Sequence, residues 1–559
     1  MFIARIQRAR LVTSPATMRH SFAIAHIGRA LLVPTIVALG AGTAAAQARR
    51  PGAPRDTTSV PGRDSLRPAV RDSLRPSTRD FLAMVEAAPV VTHHTMRLNG
   101  TTLGYTATTG MLPIRNDTSG VIEGGMFFVA YNKDGIGDAS SRPLSFVFNG
   151  GPGSSTVWLH MGAFGPKKVR LNPDGTNLPP PFVYEDNPFT LLDQTDLVFL
   201  DPVGTGFSRA ARPELGPKFW GLDEDIRAVG EFVRLYLTRF DRWGSPKFLA
   251  GESYGTTRAA HLSGYLTDRG IAVNGVVLIS TVLNFEASAM DPGNDLGFIN
   301  FIPSYAATAW YHKRLAADLQ RLTVDQVTSQ AEKWAEGDYA HALMRGARLT
   351  DAERHATAEQ LARFTGTSTT FAGENNLRIP LSRFNQELLR DKHLTSGRLD
   401  SRFTSYATDQ GAERGQFDPS EGSIRNSFTP VLSEYVRREL GYRNEEVYYI
   451  LGGGIGRWRY PQSNGYANVV PSLERAFAKN PEMRLYVAEG YYDMATPYFA
   501  VEYTLAHMAV DPRVRAGITT QRFEAGHMVY IDAPSMAKMR EGLRRFIDGA
   551  LPPAQRAQR

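Results

Sequence analysis

Lys247-Phe248-Leu249-Ala250-Gly251-Glu252-Ser253-Tyr254-Gly255 runs from a short apolar stretch into a helix-like segment, Thr256 to Tyr265. Two glycines flank Ser253 in the spacing G-x-S-x-G. A strand that turns at once into a helix leaves no room for a side chain on either flank of the turn, and glycine alone fits there. The turn lifts the Ser253 hydroxyl above the sheet edge, and the N-terminus of the next helix favours negative charge beside it. Ser253 is thus a candidate nucleophile. The motif alone also fits a glycine-flanked loop serine, so its surroundings decide.

Those surroundings repeat one rhythm. Leu144–Phe148, Leu197–Leu200, Lys247–Ala250, Gly275–Ser280 and Leu485–Ala488 are short and apolar, as strands buried on both faces are. Helix-like segments such as Leu222–Phe240 lie between several of them. The alternation predicts an α/β fold, a doubly wound, mostly parallel sheet with helices on both faces. From about Val90 to Tyr131 the pattern favours further strands, and Met126–Tyr131 runs into the turn-forming Asn132-Lys133-Asp134-Gly135. The rhythm breaks between about Asp291 and Glu434, where Tyr311–Gly337 and Thr350–Phe364 read as helical and Thr365–Leu377 as loop. Residues 291–434 are expected to form a mostly helical cap inserted over the C-terminal edge of the sheet, where ligands bind in such folds. Residues 86–290 and 435–550 are expected to be the two parts of the sheet domain.

A serine hydroxyl becomes nucleophilic only beside a base that a third group orients. Asp493, in Gly490-Tyr491-Tyr492-Asp493, follows the apolar run Leu485–Ala488, and His527 follows the strand-like Thr519–Phe523. Both sit in loops at strand ends, and the chain order is Ser, Asp, His. By position alone Asp493 fits a turn-capping aspartate equally well. Developing negative charge needs two backbone donors. Tyr254 N–H is one, and the other is expected from Asn149-Gly150-Gly151-Pro152-Gly153-Ser154-Ser155, which follows Phe146-Val147-Phe148.

The 559 residues are 42% hydrophobic and 21% charged, an ordinary globular composition. The net charge of +7 is concentrated at one end. Residues 1–46 carry +5 and residues 47–80 carry +4, which leaves −2 on the remainder. A near-neutral body does not suggest a nucleic-acid partner. Basic residues up to Arg29, the apolar Ala30–Leu39 and the small Ala44-Ala45-Ala46 before Gln47 read as a signal peptide over 1–46, with Met18 as an alternative start. Export to the periplasm or the medium is expected, with no stable membrane insertion once the signal is cleaved. Residues 47–85 are expected to be a disordered Pro- and Arg-rich spacer carrying two Arg-Asp-Ser-Leu-Arg-Pro repeats. With no cysteine in the chain, thiolate chemistry and disulfides are excluded. No cofactor or metal is expected, since Gly452-Gly453-Gly454-Ile455-Gly456 lacks the dinucleotide spacing.

Taken together, Asn149–Ser155, Gly251–Gly255 and Gly526-His527-Met528-Val529 resemble the three signature segments of the serine carboxypeptidase family, which has the α/β-hydrolase fold. Asp201-Pro202-Val203-Gly204-Thr205-Gly206-Phe207-Ser208 is similar to a fourth, and Gly490–Asp493 with Pro497 to the family's acid loop. The resemblance covers about residues 120 to 548 and suggests a bacterial, exported member. It implies Ser253 as nucleophile, Asp493 as orienting acid and His527 as base, with the N–H groups of Gly151 and Tyr254 as oxyanion donors. It also implies that Asn149 and Glu252 read the free carboxylate of a peptide substrate and that Met528 lines the pocket of the leaving residue.

The chemistry asks the same of Glu252. An ionised carboxylate would repel a substrate carboxylate, so Glu252 has to be protonated to donate to it. That makes peptidase activity strongest at acidic pH. Ala163 stands where the family has a second glutamate, Val147 where it has a tryptophan and Ser154 where it has a cysteine. The missing carboxyl predicts a weaker acidic optimum. It also opens His160, Lys167 or Lys168 as other carboxylate ligands, or as plain surface residues. The reading is a serine-type carboxypeptidase. An esterase or acyltransferase with the same triad, and a binding protein on a hydrolase scaffold, are the alternatives. The oligomeric state is left open.

Overall fold

A computed structural model describes residues 78–407, 417–460 and 465–556. The expected signal peptide and most of the expected spacer lie outside the described residues. Strands β1 (Val90–Leu98), β2 (Thr101–Arg115), β3 (Ile122–Lys133) and β4 (Leu144–Phe148) precede a small hairpin of β5 (Lys167–Val169) and β6 (Tyr184–Asp186). Next come β7 (Asp196–Leu200), β8 (Arg209–Ala210), β9 (Lys247–Ser253) and β10 (Gly275–Thr281). A second hairpin, β11 (Leu394–Ser396) and β12 (Thr404–Tyr406), precedes β13 (Arg484–Gly490) and β14 (Ile518–Phe523). Among the described residues the main sheet has ten strands in the order β1-β2-β3-β7-β4-β9-β10-β13-β14, with β8 beside β3. Pairing is antiparallel from β1 to β7 and parallel from β7 through β4 to β14.

The parallel strands are apolar on both faces because helices cover both. Phe146, Phe148, Val198, Leu200, Leu249, Val276, Leu278, Leu485 and Val487 pack on one side against the helices Leu222–Arg239, Tyr254–Thr267 and Val470–Lys479. Their alternates, among them Val147, Phe199, Ala250, Ile279 and Ala488, pack on the other against the helices Pro419–Arg438 and Ala533–Ala550. Each odd or even set of side chains thus has its own helical layer, which fixes the register of every strand. β9 lies near the middle of the parallel part, so whatever follows it is central to the molecule.

The segment between β10 and β13 holds a third core of its own, built on the helix Leu296–Tyr311 with Phe301, Tyr305, Val327, Leu361 and Phe384. Two details differ from the sequence reading. Tyr311–Gly337 is not continuous helix. The chain breaks after Tyr311 with Lys313 at φ +59°, and a new helix, Val324–Trp334, starts at Thr323 with a reciprocal Thr323–Gln326 cap. Thr365–Leu377 is not plain loop, because Ser368 caps a short helix, Thr369–Glu374, by accepting from Phe371 N–H. The helix Pro419–Arg438 does not pack with this third core but with the sheet, through Ile424, Phe428, Val431 and Tyr435. No helix of the described residues is long and apolar enough to cross a membrane.

Candidate active site

Ser253 ends β9 and opens the helix Tyr254–Thr267 with φ +59° and ψ −130°. A non-glycine residue holds such a conformation only under strain, and the surroundings supply the constraint. A Cβ on Gly251 would overlap the Gly255 carbonyl oxygen, and one on Gly255 would stand 2.7 Å from the Phe148 carbonyl oxygen. Both glycines are therefore required by contact, as the sequence suggested. A Cβ on Gly150 would collide with the Tyr254 backbone nitrogen. The glycine-rich loop after β4 and the start of this helix therefore lie backbone against backbone. That contact brings the Gly151 loop beside the Tyr254 N–H. Thr156 N–H donates to Asp201 Oδ1 at 2.8 Å, so the Asp201–Ser208 segment anchors the far side of the loop.

Asp493 and His527 meet from the ends of β13 and β14. His527 Nδ1 lies 2.7 Å from Asp493 Oδ2. Asp493 is fully buried and accepts from Ala495 N–H at 2.7 Å, Thr496 N–H at 3.0 Å and the Thr496 hydroxyl at 2.6 Å. These donors fix the carboxylate. An acceptor at Nδ1 makes that nitrogen the N–H and leaves Nε2 as the basic one. Burial pulls the His527 pKa down, but the Asp493 charge and hydrogen bond, with the Glu252 charge, outweigh it and hold it above its ordinary value. His527 N–H donates to Leu399 O at 2.6 Å, Met494 N–H to Arg398 O at 3.0 Å and Ser401 N–H to Tyr492 O at 3.0 Å. The turn between β11 and β12 is thus laced between the loops that carry Asp493 and His527.

Beside Ser253 lies a second buried cluster. Asn149 Nδ2 donates to Glu252 Oε2 at 3.0 Å, and the Tyr530 hydroxyl donates to the same oxygen at 2.5 Å. Asn149 Oδ1 accepts from Leu159 N–H at 3.0 Å, and its carbonyl accepts from Arg258 at 2.5 Å, itself paired with Asp225 at 2.7 Å. Burial pushes Glu252 up to about 7, against the pull of His527 and of the Tyr530 and Asn149 hydrogen bonds, while Asp493 adds to the rise. In its neutral form Glu252 accepts two hydrogen bonds on Oε2, so the proton belongs on Oε1, free to be donated.

Asn149, Glu252, Asp493 and His527 therefore come together as hydrogen-bonded pairs, with Ser253 next to Glu252 in the chain. Met528, expected to line a pocket, is buried in the core on the face of the Pro419–Arg438 helix. The other carboxylate ligands considered are corrected. His160 is buried, 2.6 Å from the Tyr131 hydroxyl and stacked on Phe199, and burial lowers its pKa to about 3, so it is neutral. Lys167 pairs with Asp186 at 2.8 Å and Lys168 with Glu185 at 3.5 Å across the β5–β6 hairpin. The sequence missed Tyr530 and Thr496. Tyr530 sits in the apolar run Val529-Tyr530-Ile531 and reads as core, whereas Thr496, three residues after the acid, could have been flagged as its donor. Among the described residues no group of three or more His, Asp or Glu side chains is arranged to hold a metal ion.

Compared with known families, the chain matches the family model described as serine carboxypeptidase over residues 106–549. The chain belongs to the serine carboxypeptidase family. Its fold is accordingly the α/β-hydrolase fold. Among curated relatives of this family member is serine carboxypeptidase-like 36 of Arabidopsis thaliana, 29% identical over 172 residues, which is 29% of this chain and 33% of the relative. Serine carboxypeptidase-like 38 of the same plant is 31% identical over 135 residues, 23% of this chain and 26% of the relative. These matches span a third or less of the relatives' lengths. Among solved structures, Kex1Δp, a prohormone-processing carboxypeptidase from Saccharomyces cerevisiae, aligns with a TM-score of 0.48 at 15% identity, over 84% of this chain and 96% of that one. Proline iminopeptidase from Mycobacterium smegmatis aligns with a TM-score of 0.34 at 11% identity, over 79% and 98%.

Proposed function

We propose that this family member releases C-terminal residues from peptides through an acyl-enzyme. The observation that carries the reading is the buried Asn149–Glu252–Tyr530 cluster beside Ser253, where a carboxyl group is kept protonated and presents one hydrogen-bond donor. A neutral carboxyl donor next to the nucleophile suits one substrate feature above others, a free carboxylate one residue beyond the scissile bond.

In this reading His527 Nε2 takes the Ser253 proton as Oγ attacks the scissile carbonyl. Gly151 N–H and Tyr254 N–H face the oxyanion. His527 then gives the proton to the leaving amine, and Asp493 stabilises the imidazolium that forms in between. Water, activated by the same Nε2, attacks the ester, and the acyl group leaves as the shortened peptide. Asn149 and Glu252 hold the terminal carboxylate, and Met528 backs the region that receives the leaving residue. The helices between β10 and β13 act as a cap over the site, and residues 1–46 direct export of the chain.

The test is one blocked peptide in two forms, free acid and C-terminal amide, assayed from pH 4 to 8 with Ser253→Ala as control. Cleavage of the acid form at least tenfold faster than the amide at pH 5 is expected. Equal rates, or turnover of simple esters alone, would replace the carboxypeptidase reading with a general esterase or acyltransferase. Failure of a fluorophosphonate to label Ser253 would replace both with a binding protein.

A further inference from the structure

We propose that Tyr530 is a specificity-determining positioning residue: its hydroxyl, together with Asn149, holds Oε2 of Glu252 so that Oε1 is the oxygen offered to a peptide's terminal carboxylate. The inference rests on the carboxypeptidase reading above and concerns how the Glu252 carboxyl is held in one orientation.

Three observations meet here. First, Ala163 is fully buried in a wide-turned helical segment, Leu159–Phe164. An alanine there offers no hydrogen bond to Glu252. Second, the neighbouring Gly162 lies against the Tyr530 ring so closely that a Cβ would stand 2.7 Å from it. A glycine at 162 thus leaves room for an aromatic ring. Third, Tyr530 lies three residues after His527 in the same loop, and its hydroxyl reaches Glu252 Oε2 at 2.5 Å. The loop that delivers His527 also delivers this donor to Glu252.

A phenol differs from a carboxyl in one decisive way. Two carboxyls side by side share a proton and repel once it is gone. Burial and the nearby Glu252 push the Tyr530 hydroxyl well above its ordinary range, so it stays a donor at every working pH. The groups that face Glu252 are few. His527 and Asp493 act on it through their charges, from the ends of β14 and β13. Asn149 and Tyr530 donate to it, from the loop after β4 and the loop after His527. Arg258, on the helix Tyr254–Thr267, is already paired with Asp225 and reaches only the Asn149 carbonyl. Glu252 thus changes charge at the proposed recognition point, and Tyr530 donates to it in either state.

Tyr530→Phe keeps the ring contact with Gly162 and removes the hydroxyl alone. On the free-acid peptide kcat/KM at pH 5 is expected to fall about tenfold more than on the matching methyl ester, equivalent to about 1.4 kcal/mol. The loss should lie mainly in KM. The alkaline limb of the free-acid profile should also move to higher pH, because a donor to the ionised form has gone. The thermal midpoint of the variant separates a folding defect from a site effect. If wild type prefers the free acid and Tyr530→Phe lowers both substrates equally, or shifts no limb, the inference is wrong and the carboxypeptidase reading stands. If wild type cleaves acid and amide alike, the reading itself falls and takes this inference with it.

Discussion

Glu252→Gln isolates the charge on which the proposed recognition turns. The glutamine carbonyl can accept from Asn149 and Tyr530 as Oε2 does, and its NH₂ can donate where the carboxyl proton did. The variant is therefore a permanent copy of the neutral acid. With Glu252 titrating at about 7, roughly nine-tenths is neutral at pH 6 and roughly one-tenth at pH 8. The ratio of wild-type kcat/KM on a free-acid peptide to that on its methyl ester, in which the His527 titration cancels, should fall about tenfold across that interval, while the same ratio for Glu252→Gln should change less than about twofold. The acid limb should move the other way. The Glu252 charge helps hold the His527 pKa up, so its removal lets the base work at lower pH. The assay is kcat/KM on one blocked free-acid peptide at half-unit steps from pH 4.5 to 8.5, with the methyl ester as reference. Because the two groups interact, the observed midpoints belong to the Glu252–His527 pair and not to either alone. A Glu252→Gln profile with the wild-type alkaline limb would mean that another group controls recognition, and the argument from the Asn149–Glu252–Tyr530 cluster would fail.

Two further outcomes are expected. Asp493→Asn should lower kcat on every substrate about 10⁴-fold, because an amide no longer dictates which nitrogen of His527 carries the proton; a loss under tenfold would remove Asp493 from the triad. Glu489, fully buried on β13 with neither carboxyl oxygen hydrogen-bonded, is held well above its ordinary pKa by burial and then by Glu502. At pH 4 it is protonated both folded and unfolded. As pH rises past the ordinary carboxylate range the unfolded chain ionises and the folded one does not, so stability is lost. Glu489→Gln abolishes that loss, and its thermal midpoint relative to wild type should rise between pH 4 and 7; a gap that stays constant with pH would contradict the assignment.

What could be read from the sequence follows the range of the interactions involved. Leu197–Leu200 is apolar throughout and Leu144–Phe148 is apolar apart from Ser145 because both faces are covered, and a five-residue window contains that information. Gly251 is equally local, since its contacts lie within five residues, whereas Gly255 is required by Phe148 and Asn149 across the sheet and was legible only through the G-x-S-x-G spacing. Asp493 and His527 were visible because each ends a strand in the expected chain order. Tyr530 was not, because its hydroxyl is polar toward a carboxyl 278 residues away while its neighbours are core. His160 misled for the converse reason. Its environment is set by Tyr131 and Phe199, which no local window brings together. The break at Lys313 and the short helix after Ser368 depend on single capping residues inside otherwise helical or polar stretches.

The backbone bonds from Arg398, Leu399 and Ser401 to the loops of Asp493 and His527 bear on how such enzymes diversify. An inserted segment whose turn between β11 and β12 is bonded to the backbone of both loops is not freely interchangeable. Swapping the helices between relatives to alter substrate preference has to preserve the return path from 398 to 401, or the exchange disarms the enzyme it was meant to retune. Variation is cheapest in helices that make none of those bonds, such as Asp351–Thr365.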